Sequence, residues 1–260
     1  MDDTGHDEEP GATSRRVTKR VTVLCRGPKF FERIDFVGNY RHSRNYENLQ
    51  RVIFDGVGLY DIPAIEPIHV DNDDIPVFIG FNYAKSCPSP GHRGLHFFVD
   101  DYQFIRLWTN PDSYLPLLDK FKYVLSPDFS TYTDYPLVMQ LYSHYRKHWL
   151  AAYWQAHGIK VIPTVSWSDE SSFAWCFDGE PVGGAVAISS VGTQMSKAGR
   201  EGFLRGYNEM MERLKPETIL FTGKVPAECE GNIIPIGTFQ DRLAALAIEN
   251  ENRNPKEDDV

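Results

Sequence analysis

Three aspartates in this chain each follow an apolar, strand-like run, and their side chains suit acid–base chemistry. They are Asp100, Asp128 and Asp169. Two carboxyl groups brought together can act as general acid and general base in a hydrolysis, or can hold a divalent metal ion. We therefore predict Asp128, Asp100 and Asp169 as catalytic carboxylates, with Asp128 as the leading one and a divalent metal as an open possibility.

Four further side chains in similar positions suit ligand binding. The indole of Trp167 could stack on a sugar or a base. Ser189 and Ser190 end an apolar run ahead of a helix, where backbone N–H groups can cradle an anion. Lys224 could neutralise a phosphate, although the glycine that a P-loop needs upstream is missing. We predict these four residues as substrate-binding.

Each of these residues also has an ordinary structural alternative. Asp101 and Asp169 suit the N-caps of the helices that follow them, because aspartate is a preferred cap. Asp128 suits a turn. The other four have equally plain alternatives, namely a packed aromatic side chain, two small residues at a strand end and a solvated lysine. The sequence leaves these alternatives open.

The elements that position the candidates are about seven strands alternating with at least three helices. The predicted strands cover residues 75–81, 95–99, 123–125, 160–166, 185–188, 218–221 and 233–236. Such alternation indicates parallel pairing with right-handed crossovers. The carboxyl ends of parallel strands lie at one edge, so the candidate residues are expected to share that edge.

The predicted fold class is α/β, an irregular or incomplete TIM-like (β/α) barrel, with an open doubly wound parallel sheet as the alternative. The barrel is favoured because strands continue through the middle of the chain and no nucleotide-binding turn follows the first strand. The loop 86–94 is too short for a helical crossover. The strands on either side of it are therefore expected to be separated by others or to be antiparallel.

The strongest helix signal covers residues 134–157. Asp134 suits the N-cap and Gly158 suits the position after the last turn. His144 and His148 are four residues apart and share one face, but no HExxH motif accompanies them. We expect both histidines to be exposed polar positions.

Composition restricts the partners and the compartment. The formal net charge is −9, which does not favour direct nucleic-acid binding through phosphate contacts. The sequence contains no run of about 18 apolar residues, so no membrane span is predicted. The first 20 residues lack the apolar stretch of a secretory signal. We expect a cytoplasmic protein whose partner is a small-molecule ligand or another protein.

The predicted domain organisation is a single α/β domain over residues 21–248. A disordered tail is expected at 1–20 and another at 249–260, because both segments are polar and poor in apolar residues. The role of residues 21–60 is not evident from their pattern. The most characteristic part of the domain is predicted to be residues 75–238.

That part of the chain resembles a bacterial and phage family known as domain of unknown function 4417. Four segments carry the resemblance: Ile79-Gly80-Phe81-Asn82-Tyr83, Phe98-Val99-Asp100-Asp101, Leu125-Ser126-Pro127-Asp128-Phe129-Ser130 and Val161-Ile162-Pro163-Thr164-Val165-Ser166-Trp167. The resemblance implies a protein of bacteria, phages and mobile elements. It brings no activity and therefore assigns no catalytic residue.

Two functional hypotheses follow. The first is a soluble, hydrolase-like enzyme that acts on a sugar, nucleotide or phosphate-containing ligand at the carboxyl edge of a parallel barrel. The second is a non-enzymatic binding or accessory protein of a phage or mobile element, for which the acidic charge favours a protein partner. Substrate, metal dependence and oligomeric state are left undecided by the sequence.

Overall fold

The computed structural model describes residues 47–237. The predicted tails, and the predicted domain's ends at 21–46 and 238–248, lie outside the described residues. The described part begins with a short antiparallel pair, β1 (Gly56–Val57) and β2 (Ile62–Pro63).

Seven parallel strands follow, in two sheets. The first sheet contains β3 (Val77–Gly80), β4 (Arg93–His96), β5 (Tyr123–Leu125) and β6 (Val161–Ile162), and the second contains β7 (Ala185–Ser189), β8 (Thr218–Thr222) and β9 (Ile233–Pro235). Every pairing within them is parallel, which confirms the α/β prediction. Within each sheet the strands lie side by side in the order in which they occur in the sequence. A doubly wound sheet differs, because its strand order reverses direction at one point. Neither sheet closes on itself within the described residues, so barrel closure stays a prediction.

The two sheets meet just after β6. Thr164 forms a parallel bridge with Ala187 of β7, and the amide of Val165 donates to the Ala187 carbonyl at 2.8 Å. One apolar cluster draws side chains from both sheets, including Phe78, Leu125, Ile162, Ala187 and Leu220. This shared cluster holds β3 to β9 together as one body.

The connection between β3 and β4 corrects the expectation for the loop 86–94. The two strands are parallel neighbours, with Val77 opposite Arg93. Two short 3-10 turns, Phe81–Ser86 and Pro90–His92, complete the crossover without an α-helix. The connection therefore spans residues 81–92, which is just long enough to join two parallel strands. The expectation was wrong because the strand was predicted to end at Phe81, whereas Phe81 already belongs to the connection.

In the described part of the chain, four α-helices pack on the strands: α1 (Arg106–Thr109), α2 (Leu115–Leu118), α3 (Leu137–Ala156) and α4 (Lys197–Leu214). No helix among residues 47–237 combines the length and the apolar character that a membrane crossing needs. Ser196 caps α4, because its hydroxyl accepts from the amide of Gly199 at 3.0 Å. Gly158, as predicted, has a positive φ of 84° after α3.

Two predictions for α3 are corrected. The helix begins after Pro136 and has no side-chain cap, so Asp134 lies in the preceding turn and does not act as the N-cap. His144 and His148 are buried, at 2% and 0% exposure, where we had expected them to be exposed. The reason is that α3 is covered on a second side, by β2 and by residues 175–180.

Candidate active site at the strand rim

The carboxyl ends of the parallel strands form an edge, here called the rim, and the loop after β5 is fixed there at two points. At one point, Ser126 accepts through its hydroxyl from the amide of Thr164 at 2.7 Å, and its carbonyl accepts from the Thr164 hydroxyl at 2.8 Å. At the other, the Asp101 carboxylate accepts from the amide and the hydroxyl of Ser130. Asp128 lies between these anchors.

Asp128 faces a small cavity of about 70 Å³ whose lining includes Thr164, Ser166, Trp167 and Ser189. The residue is half-buried, and the protein around its carboxyl group displaces solvent from it. Burial raises its pKa to about 6, the negative charge of Asp101 adds to this, and Lys147 opposes it. Within residues 47–237 no hydrogen bond to this carboxyl group is present. A carboxyl group that exchanges its proton near neutral pH in a cavity suits general acid–base catalysis.

Trp167 forms one wall of the cavity. Its ring lies 5.4 Å from that of Phe203 and 6.4 Å from that of Phe177, centroid to centroid. The indole rests on α4 at Gly206, where an added Cβ would lie 2.2 Å from the indole Nε1. A glycine at this position is therefore needed for the indole to lie where it does.

Gly206→Ala is expected to displace Trp167 and to lower the free energy of unfolding by about 1–3 kcal/mol, the usual cost of overpacking. Urea denaturation followed by tryptophan fluorescence measures both effects. Gly202→Ala in the same helix is the matched control, because its new methyl group would meet only an Arg205 side-chain atom, at 4.0 Å. That control should be neutral or stabilising. Equal stability of the two variants would contradict the close packing of the indole.

The structure brings three of the predicted site residues together and places the others elsewhere. Asp128, Trp167 and Ser189 all line the cavity. Ser190 is buried beside it, but its hydroxyl donates to the backbone carbonyl of Lys224 at 2.8 Å. The side chain of Lys224 is exposed and does not line the cavity.

The two partner carboxylates predicted for Asp128 do not line the cavity. Asp169 is exposed and caps the short 3-10 helix Glu170–Ala174, since it accepts from the Ser171 amide at 2.9 Å, the capping alternative considered above. The Ser171 hydrogen bond holds the pKa of Asp169 below its usual range. Asp100 is also exposed and precedes a 3-10 turn. The acidic neighbour that acts on Asp128 is Asp101, the next residue along.

A buried polar cluster, which the sequence analysis missed, lies beneath the rim; we call it the charge cluster (Lys147, Glu180, His144 and His148). The ammonium of Lys147 donates to Glu180 Oε1 at 2.7 Å and to the carbonyl of Thr164 at 2.9 Å. Because Thr164 lines the cavity, this lysine connects the cluster to the rim. A stripe of polar residues on α3, at positions 140, 144, 147 and 148, is the signal that could have revealed the cluster.

Electrostatics divide the charge cluster into an ion pair and neutral histidines. Burial opposes ionisation of Glu180, but Lys147 and His148 together hold its pKa below the usual range. Burial lowers the pKa of both His144 and His148, and Lys147 adds to this. Both imidazoles are therefore neutral at pH 7, next to a paired ammonium and carboxylate.

A larger cavity, of about 300 Å³, lies at the opposite ends of the strands. Its lining includes Lys120, Lys122, Ile159 and Lys160, before β5 and β6 begin. In parallel α/β folds the ligand site lies at the carboxyl ends of the strands. We therefore assign the candidate active site to the smaller cavity at the rim, where the perturbed carboxyl group also lies.

The sequential parallel strands define an α/β protein. Its candidate site lies at the carboxyl ends of the strands, where proteins of that class bind their ligands. The sequence model of the family Domain of unknown function (DUF4417) matches residues 54–240. The chain belongs to this family, which confirms the resemblance noted from the sequence, and the match begins earlier than residue 75.

Two phage proteins are similar to this chain over most of the same region. The Gene 1 protein of Mycobacterium phage L5 is 38% identical over 191 residues, which is 71% of this chain and 80% of the relative. The Gene 1 protein of Mycobacterium phage D29 is 36% identical over 183 residues, 67% of this chain and 64% of the relative. No solved structure matches the chain.

Proposed function

We propose that this protein is a cytoplasmic, phage-associated hydrolase with an irregular TIM-like barrel, in which Asp128 acts as the general base. The observation that carries the proposal is the Asp128 carboxyl group, which lies in the rim cavity with a pKa raised to about 6. At pH 7 most of this carboxylate is ionised and can take a proton from an attacking water. Asp101 would raise its basicity by keeping a second negative charge nearby.

The rim cavity restricts the ligand to one with a small reacting group. A cavity of about 70 Å³ is well below the size of a pocket that encloses a drug-sized ligand. A phosphate or one edge of a sugar would enter it, while the rest of the ligand lies outside. Ser189 would hydrogen-bond the reacting group and Trp167 would stack on an adjoining ring. The proposed substrate class is therefore a sugar, nucleotide or phosphate-containing ligand.

A turnover screen with a pH profile tests the proposal. The purified chain is assayed on p-nitrophenyl phosphate, bis(p-nitrophenyl) phosphate, p-nitrophenyl glycosides and nucleotides. With any substrate that turns over, kcat/KM should rise through pH about 6 and then level off, because a general base must be ionised. Asp169→Asn, an exposed aspartate of the same rim, should keep the wild-type profile. Lack of turnover across the panel would contradict the hydrolase proposal.

A second candidate is a phage accessory protein that binds a protein partner. It is supported by exposed apolar residues just before α3 and in its first turn, which are Tyr132, Tyr135, Leu137, Val138 and Met139, together with the similarity to phage proteins. Surface apolar residues grouped in this way are often interaction sites. A protein that turns over none of the substrates at any pH would favour this candidate.

A further inference from the structure

We infer that His144, His148 and Glu180 form a binding site for a divalent transition-metal ion, for which Zn²⁺ is the best match. Each of these residues offers one ligand atom, and the three atoms lie within 4.8 Å of one another. Imidazole nitrogen and carboxylate oxygen are ligands that Zn²⁺ accepts. The residues come from α3 and from the segment after Asp178, so a bound ion would join two separate parts of the chain. The site is independent of the proposed hydrolase chemistry.

The two histidines are oriented as metal-bound histidines are. His144 Nε2 lies 3.0 Å from the carbonyl oxygen of Asp178, and His148 Nδ1 lies 3.0 Å from that of Pro63. A carbonyl oxygen only accepts, so His144 Nε2 carries its hydrogen and the lone pair is on Nδ1. His148 Nε2 also lies 3.1 Å from Glu180 Oε1, and an ion that replaced this contact would bind the tautomer whose hydrogen is on Nδ1. Metal ligands are typically fixed in this way, with the second ring nitrogen donating to a carbonyl.

Glu180 supplies the second, independent observation. Its Oε2 is fully buried and has no hydrogen-bond partner among the described residues. The other oxygen, Oε1, accepts from Lys147 and lies 3.1 Å from His148 Nε2. An unpartnered buried carboxylate oxygen is costly. A cation bound at Oε2 would satisfy it.

The spacing is compatible with an ion that binds Oε2. Tetrahedral bonds of about 2.0 Å place ligand atoms about 3.3 Å apart, so the residues need only a small inward movement from the observed separation. Lys147 would keep its bonds to Oε1 and to the Thr164 carbonyl. The ion would thus lie beneath the rim and tie α3 to the loop that contains Gly179, whose φ is 80°.

Metal titration of the whole chain tests this inference. After dialysis against a chelator, the protein is titrated with Zn²⁺ by calorimetry and with Co²⁺ by visible absorption. The wild type should bind one ion per chain, show the absorption of tetrahedral Co²⁺, and melt at a higher temperature with Zn²⁺ present. A wild type that shows neither the absorption nor the rise in melting temperature would overturn the site.

Matched variants assign the ligands. His144→Gln and His148→Asn keep a donor for the Asp178 and Pro63 carbonyls but remove the ligand nitrogen, and each should weaken binding at least about tenfold. The control is His69→Gln, which breaks an exposed pair with Glu217 of 2.7 Å and should leave binding unchanged. Wild-type affinity in both cluster variants, with the fold verified by circular dichroism, would show that the ion binds elsewhere and would overturn the site.

Discussion

Asp128→Asn is expected to lower kcat/KM by about 10²–10⁴-fold, the usual contribution of a general base. The amide has the shape of the carboxyl group but cannot take up a proton. Its neighbours keep their anchors, because the loop is held by Ser126 and Ser130 and no described hydrogen bond involves the Asp128 carboxyl. Steady-state rates at pH 7 measure the effect, with Asp169→Asn as the control that should retain activity.

The same substitution is expected to stabilise the fold at high pH. The pKa of Asp128 is raised from 3.8 to about 6, so the folded protein binds a proton more tightly than the unfolded chain does. The contribution of Asp128 to stability is therefore greatest at low pH and falls as pH rises from about 4 to about 6. Above that range Asp128→Asn should exceed the wild type by about 3 kcal/mol, and well below pH 4 the carboxyl contributes no difference.

Urea denaturation at pH 4 and pH 8 provides that comparison. Loss of activity together with gained stability is the pattern of a group kept for function at a cost to the fold. If Asp128→Asn is instead badly unfolded at both pH values, Asp128 is a structural turn residue. The hydrolase proposal would then lose its central residue.

Single substitutions in the charge cluster are expected to be the most damaging to stability. Lys147→Met leaves the Glu180 carboxylate buried without its ammonium partner, and Glu180→Leu leaves the ammonium unpaired; the two groups are 2.7 Å apart and almost fully buried. Removing one partner of a buried pair costs about 3–5 kcal/mol. Urea denaturation at pH 7 should show a loss of that size for each variant.

The double variant Lys147→Met/Glu180→Leu is expected to recover most of the loss, because apolar residues of similar volume often replace a buried ion pair without net cost. Lys197→Met is the surface control. Its partner Glu201 is 3.8 Å away and both side chains are exposed, so the change should stay below about 1 kcal/mol. A double variant as unstable as the sum of the single losses would show that the two charges are not coupled.

The strands were largely predictable from the sequence. β5 was predicted with the observed bounds, because the apolar run Tyr123–Leu125 is closed on both sides by polar and turn residues. The parallel order followed from the alternation with helices. The β3–β4 connection was not predictable, since a crossover built from 3-10 turns has no hydrophobic period that a sequence pattern would reveal.

The candidate site was partly predictable, because position after a parallel strand selects the rim. That rule selected Asp128, Trp167 and Ser189, and these three residues line one cavity. It could not distinguish Asp100 from Asp101, since the choice depends on the backbone turn after β4. Lys147 and Glu180 are 33 residues apart in the sequence, and each taken alone resembles an ordinary charged surface residue.

The sequential order of β3 to β9 has a consequence for biosynthesis. Each new strand pairs with the one made just before it, across connections that range from the short β8–β9 link to the long β5–β6 crossover, and parallel pairing over such distances forms slowly. The sheet can grow in the order of translation, as nascent domains do when their amino-terminal part folds first. Lys147, on the earlier helix α3, is synthesised before its partner Glu180. Its ammonium charge can therefore be paired beneath the rim only after Glu180 has been synthesised.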